Sequence, residues 1–218
     1  MKHTLPLLTL LAASAAFAQT APNVAKKPAL QHSVEVAYVS SSFAQNVPTA
    51  SVDDFTGYSL AAKVYVWENV FVALEQIDVS TDITSIDPAP TGLTSNRFGY
   101  GLGATFQVGP GLLNVSYTFG QGELEAENAP APTPVQENDQ GRFNVTYSHA
   151  YANGISAALG VTQFFNDFVD DHTAVILTVG YDFRNGLSVF ATYSPDSADI
   201  GVEEFTEQAF SLGAKYSF

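Results

Sequence analysis

From about residue 33 to its last residue the chain alternates, in ten separate runs, between large apolar side chains and small or polar ones. A period of two marks a β-strand whose two faces meet different surroundings, because successive side chains point to opposite sides. The clearest run sets Phe98, Tyr100, Leu102, Ala104, Phe106 and Val108 against Arg97, Gly99, Gly101, Gly103, Thr105 and Gln107. One face is aromatic and aliphatic, and the other is nearly bare. The same pattern runs from Val34 to Tyr38, Tyr58 to Val66, Val70 to Leu74, Leu113 to Phe119 and Phe143 to Tyr147. It continues from Ile155 to Val161, Val175 to Phe183, Leu187 to Tyr193 and Phe210 to Phe218.

A soluble sandwich also alternates, so the connections between strands carry the decision. Four are short and have the composition of hairpin turns: Trp67-Glu68-Asn69, Gly109-Pro110-Gly111, Ala152-Asn153-Gly154 and Arg184-Asn185-Gly186. The five between them are expected to be longer, at about 44–54, 80–96, 121–141, 166–172 and 195–204. Short turns at one end, long loops at the other and strands of about ten residues describe a transmembrane barrel. A bilayer also requires the sheet to close, because an open edge leaves backbone groups unsatisfied in hydrocarbon. The expected fold is therefore all-β, a closed antiparallel transmembrane β-barrel of about ten strands, with eight as the alternative if a hairpin is merged or split.

Composition narrows the function classes. With 22 acidic residues against 8 basic ones and a net charge of -14, the chain is unsuited to neutralising phosphates, so no nucleic-acid partner is expected. The absence of cysteine excludes disulfides, thiol nucleophiles and cysteine-ligated zinc. Residues 1–18 read as a cleavable signal peptide: Lys2 and His3, an apolar run from Leu5 to Ala13, and the small-x-small site Ala16-Phe17-Ala18. Residues 19–30, with Pro22, Lys26, Lys27 and Pro28, read as a short periplasmic tail, and 31–218 as the barrel. No later stretch is apolar enough for a membrane-spanning helix.

At this point the chain resembles the small bacterial outer-membrane β-barrels, the porin-like and outer-membrane-protein-A-like group. The most specific element is the last strand, in which Phe210, Leu212, Ala214, Tyr216 and Phe218 alternate to the C-terminus. Phe210, Leu212, Tyr216 and Phe218 look like the assembly signal that the barrel-insertion machinery reads in that group. The resemblance implies a bacterial outer-membrane location, outer-membrane lipid around the wall, the insertion machinery as a partner during biogenesis, and no cofactor.

The charges sort by place. Asp53, Asp54, Asp82, Asp87, Glu123, Glu125, Glu127, Glu137 and Asp139 fall in the expected long loops, as do Asp167, Asp170, Asp171, Asp196, Asp199, Glu203 and Glu204, with no Lys or Arg among them. Such a rim either concentrates cations and holds divalent ions, or is simply a solvated surface. Asp167, Asp170, Asp171 and His172 are the candidate metal ligands, without diagnostic spacing. Apart from Lys26, Lys27 and Arg184, the basic residues of the chain beyond the leader lie on the bare face: Lys63, Arg97, Arg142 and Lys215, with Glu35, Glu75, Asp182 and Glu207. Pairing Phe43 with Phe55 across the first loop would set Glu35 opposite Lys63. Closure would bring Lys215 beside the first strand, so a cluster of Glu35, Lys63, Glu75 and Lys215 is expected near the short-turn end. It would satisfy buried charges in a narrow lumen or serve as a gate.

Three functions follow in order. The first is a narrow, cation-preferring porin-like channel. The second is a closed structural or surface-interaction barrel. The third is a rim protease like the omptins, with His172 as base and Asp170 as its orienter beside Asp53 and Asp54. The omptin Asp-x-Asp element is missing and the loops are short, so no enzymatic activity is expected. Gly, Ala, Ser and Thr on the bare face favour a water-filled bore, whereas Tyr65, Phe71, Phe164, Ile176 and Phe190 favour a filled one. Gly99, Gly101 and Gly103 would either admit bulky neighbours or let the sheet curve.

Overall fold

The computed structural model describes residues 31–44, 50–52, 54–85, 92–127, 136–166, 172–183, 185–200 and 203–218. The expected signal peptide and tail lie outside these residues. Eleven strands follow in order: β1 Ser33–Ala44, β2 Ala50–Val52, β3 Phe55–Tyr65, β4 Val70–Ser85, β5 Gly92–Val108 and β6 Gly111–Glu127. Then come β7 Gln136–Ala150, β8 Ile155–Asn166, β9 His172–Asp182, β10 Leu187–Ile200 and β11 Glu203–Ser217. Antiparallel pairing runs β4-β3-β1-β11-β10-β9-β8-β7-β6-β5, and β5 pairs back to β4, so ten strands form a closed ring. The eleventh, β2, pairs with β4 above the ring. Between Val52 and Thr56 the β2–β3 side takes four residue steps where β4 takes three, from Ile83 to Ser80.

Pairing fixes the tilt. From Ser40, one route round the ring passes Thr56 and Ser80 to reach Thr94 on β5. The other passes Phe210, Tyr193, Leu177, Leu159, Tyr147 and Leu113 to reach Phe106 on the same strand, twelve residues away. With a strand spacing of roughly 4.8 Å and a rise of roughly 3.3 Å per residue, that stagger inclines the strands by about 40° and gives a barrel radius of about 10 Å.

The alternation predicted from sequence now has a direction. Val36, Leu60, Leu74, Phe98, Tyr100, Leu102, Leu159, Val179 and Leu212 point outward and are exposed, while Arg97, Thr118, Arg142, Thr162 and Ser211 point inward and are buried. A soluble barrel would reverse this arrangement, because a greasy exterior is stable only against lipid. Exposed Trp67, Tyr147, Tyr151, Tyr181, Phe183, Tyr216 and Phe218 gather near the short turns as an interfacial aromatic girdle. Three of those turns use glycine at positive φ, Gly109 (58°), Gly154 (90°) and Gly186 (86°). In two of them a preceding asparagine caps the return strand: Asn153 Oδ1 accepts from the Ile155 N–H and Asn185 Oδ1 from the Leu187 N–H, both at 3.1 Å.

At the other end the strands outrun the sequence reading. Residues 80–96, 121–141 and 195–204 were expected to be loops, yet β4 continues to Ser85, β5 starts at Gly92, β6 reaches Glu127, β7 starts at Gln136, and β10 and β11 continue to Ile200 and from Glu203. A bilayer needs only about 9–11 tilted residues per strand, so the 16- and 17-residue strands β4, β5 and β6 stand clear of it. Period two persists there, but the outward side chains change from apolar to acidic. Asp78, Asn96, Glu123 and Glu137 are exposed and lie in one row across β4 to β7. Gln121 Nε2 donates to Asp139 Oδ1 (3.2 Å) beside them.

The ring is not uniform. Among the described residues, β10 pairs with β9 only from Ser188 to Tyr193, opposite Asp182 to Leu177, which is the shortest ladder in the wall. Above it, the Ser194 hydroxyl donates to the Val175 carbonyl at 3.0 Å, and Pro195 has no N–H to offer.

Candidate functional site: the charged interior of the barrel

Strand parity carries Glu35, Lys63, Glu75, Arg97, Arg142 and Lys215 into the lumen, where all six are buried. The single cluster expected of Glu35, Lys63, Glu75 and Lys215 is instead two. Glu35 lies opposite Ala61, not Lys63, because β1 and β3 pair Ser41 with Phe55 rather than Phe43 with Phe55. The shift is two residues, so each side chain keeps its face while changing its partner. Glu75 stands diagonally across from Lys63 on β3 and also forms ion pairs with the arginines of β5 and β7.

The first cluster sits at the short-turn end. Closure brings Lys215 beside the first strand, as expected, and sets it directly opposite Glu35. Lys215 is also opposite Ser188, whose hydroxyl donates to the carboxylate of Asp182 on β9. Lys63 Nζ donates to Thr105 Oγ1 (3.2 Å) and Asn114 Oδ1 (3.3 Å) on β5 and β6. Thr105 donates to Asn114 Oδ1 (2.6 Å), which leaves the Tyr65 hydroxyl to donate to Thr105 (2.7 Å). The ammonium also lies over two ring faces, 3.9 Å from the centroid of Phe71 and 4.5 Å from that of Tyr65, a cation–π arrangement that offsets part of its burial.

The second cluster lies deeper. Glu75 on β4 pairs with Arg97 Nη2 on β5 at 3.3 Å and with Arg142 of β7, three strands away across the bore. Arg142 in turn sits 6.0 Å from the ring centroid of Phe164. Bare positions make the room. A Cβ at Gly99 would lie 2.8 Å from Glu75 Oε1, and one at Gly120 would lie 2.9 Å from Arg97 Nε. Gly103 likewise faces the Phe71 ring and Gly213 the Phe190 ring. The glycines at 99 and 103 thus admit bulky neighbours. On the far wall the bore is filled by Phe164, Ile176 and Phe190, with small polar side chains bonded to one another: the Thr162 hydroxyl donates to Asn144 Oδ1 (2.6 Å), and the Thr178 and Thr192 hydroxyls pair at 3.1 Å.

The remaining sequence candidates are scattered. Glu207 stands opposite Phe43 and Asp196, towards the other end of β11 from Lys215. His172 opens β9 opposite Phe164, while Asp167, Asp170, Asp171 and Asp53 lie outside the described residues. Of the assembly residues, Phe210, Leu212 and Tyr216 face outward on β11 and Phe218 follows its end. Phe218 closes the ring: its N–H donates to the His32 carbonyl (2.9 Å) and its ring packs 5.6 Å from the His32 ring. His32 Nδ1 accepts from the Tyr65 N–H at 3.2 Å, which ties β1 to β3 at the same rim. The sequence reading missed Asn114 and Thr105 as partners. Their only signal was inward parity.

A closed ten-strand ring with an apolar exterior and a polar, ion-paired interior has the architecture of an outer-membrane β-barrel. No protein-family model matches the chain, and no curated protein matches it by sequence. Among solved structures it is similar to the β domain of the Bordetella autotransporter BrkA, at 11% identity and a TM-score of 0.50 over 86% of this chain and 99% of that one. It is also similar to the translocator domain of the autotransporter NalP from Neisseria meningitidis, at 11% identity and a TM-score of 0.49, covering 86% and 89% of the two chains. The BrkA match bears on the fold alone, and the fold is that of an outer-membrane barrel.

Proposed function

We propose that this chain resides in the bacterial outer membrane as a closed, non-conducting barrel that works through its surface. One observation carries the reading: among the described residues, the lumenal charges and large inward side chains are buried at successive levels of the bore. Glu35 keeps 6% of its surface near the short turns, Arg142 1% and Glu75 2% in the middle, and Phe55 0% and Leu93 4% towards the other end. A hydrated pore of the cation-preferring kind would leave lumenal charges wet. The exposed apolar belt supports lipid as the surrounding phase, and the C-terminal strand supports delivery by the barrel-insertion machinery after removal of residues 1–18. On this reading the chain has neither cofactor nor catalytic role. Contact with other molecules falls to the protruding β4–β7 wall, whose outward carboxylates repel anions and attract divalent or other cationic species.

The test is electrical. Mature protein refolded into detergent, with a heat-modifiable gel shift to prove folding, should give no steps above background in a planar bilayer. Discrete steps with cation-directed reversal in a salt gradient would overturn the proposal and restore the channel.

A further inference from the structure

Asparagine precedes glycine at two places in the chain, Asn153-Gly154 and Asn185-Gly186, and both are short turns at the same end of the barrel. The two turns are built alike. Each glycine has a positive φ, 90° at Gly154 and 86° at Gly186. In each, the residue entering the turn donates to the one leaving it: the Tyr151 N–H to the Ile155 carbonyl (2.7 Å), and the Phe183 N–H to the Leu187 carbonyl (2.9 Å). Each glycine carbonyl accepts from the adjoining strand, Gly154 from the Asp182 N–H and Gly186 from the Ser217 N–H, both at 2.8 Å. Each asparagine is exposed, and its Oδ1 accepts from the N–H two residues on. That bond folds the side chain back over the intervening peptide, bringing Cγ towards the glycine nitrogen. It also sets a backbone donor on the amide oxygen, where negative charge develops if Cγ is attacked.

The turns differ at the glycine nitrogen. The Gly154 N–H donates to the Tyr151 carbonyl at 3.0 Å, and Gly154 is buried. The Gly186 N–H makes no hydrogen bond among the described residues, and Gly186 is half-buried. We propose that Asn185 is a site of spontaneous covalent modification, with the Gly186 main-chain nitrogen as nucleophile, and that the fold holds the same dipeptide at 153–154 unreactive. Hydroxide removes the Gly186 N–H proton, the nitrogen bonds to Asn185 Cγ, and the Cγ–Nδ2 bond breaks. The side-chain nitrogen takes up a proton from water and leaves as ammonia. Water then opens the cyclic succinimide, at Cγ to give aspartate or at the main-chain carbonyl to give isoaspartate. The sum is one water added and one ammonia lost, with no oxidant or reductant. At Gly154 the proton that must leave is held by the Tyr151 carbonyl and shielded from hydroxide. Either product places a carboxylate in the turn, and isoaspartate adds a carbon to the main chain of the β9–β10 hairpin, the pair with the shortest ladder in the wall among the described residues.

The test compares the two sites within one chain. Folded mature protein in lipid vesicles, and the same chain unfolded in guanidinium chloride, would be incubated side by side in mildly alkaline buffer. After digestion, the peptides carrying 153 and 185 would be followed by mass spectrometry, where conversion adds one mass unit, and by reversed-phase chromatography, which separates isoaspartate from aspartate. In denaturant the two sites share their dipeptide and should convert at comparable rates. In the folded chain Asn185 should convert several-fold faster than Asn153. Equal conversion of the two sites in the folded chain, or faster conversion at Asn153, would overturn the proposal. So would an Asn185 that stays intact in the folded chain over the time in which the unfolded chain converts.

Discussion

Removing the carboxylate of Glu75 should be the most damaging single change in the lumen. Glu75→Ala strips the common partner from Arg97 and Arg142, leaving two buried guanidiniums facing one another across a sealed bore. Breaking a buried ion pair from one side costs about 3–5 kcal/mol, and a shared partner places this case above the bottom of that range, at about 4 kcal/mol. Such a loss lowers the folded-to-unfolded ratio about a thousandfold. With a urea dependence of about 2–3 kcal/mol/M, the unfolding midpoint in lipid vesicles should fall by about 1.5 M. Mobility on an unheated gel and far-UV circular dichroism would both follow the transition. Adding Arg142→Met to Glu75→Ala removes one of the two buried guanidiniums and should recover part of the loss, a coupling that a double-mutant cycle isolates. A Glu75→Ala midpoint within about 0.3 M of the parent would refute the reasoning, because it would mean that the guanidiniums are hydrated and the bore is wet.

Two further changes test the packing and the closure. Gly103→Val drives a side chain into the Phe71 ring and should cost about 1–3 kcal/mol as overpacking, with Phe71→Ala in the same chain relieving most of it, both read from unfolding midpoints. Phe218→Ala removes the contact with His32 but leaves the lumen untouched. It should slow the appearance of the heat-modifiable form on refolding several-fold while shifting the equilibrium midpoint little, and an unchanged rate would count against a role for Phe218 in closure.

The faces of the barrel were legible in the sequence and its partners were not, for one reason. Alternation determines parity, and a two-residue slip in register leaves parity intact. Glu35, Lys63, Glu75 and Lys215 were therefore placed inside correctly, while the pairing of Glu35 with Lys63 was two residues in error. Closure was expected to bring Lys215 beside the first strand, and the register sets it opposite Glu35, a partner that parity alone did not name. Glu75 and Arg142 meet across the lumen from strands three apart, a contact that no neighbour-pair arithmetic could reach. The strand ends were misplaced for a different reason. Apolar alternation stops where lipid stops, whereas backbone pairing continues through Glu123 and Glu137 into water. Sequence hydropathy recorded the height of the bilayer and not the height of the wall.

The short β9–β10 ladder gives this cylinder a direction of weakness. Elsewhere, parting two strands means breaking a ladder that runs along most of their length. Here only the stretch from Ser188 to Tyr193 is laced to β9, and above it a hydroxyl and an imino acid stand in for backbone bonds. Breathing of the wall should therefore begin at the upper end of this seam, and amide protons of Leu177 and Tyr193 should exchange before their counterparts on β5 and β6. The barrel has a front and a back that its near-circular ring conceals: a thick, acidic wall from β4 to β7, and opposite it a thin line along which it can yield.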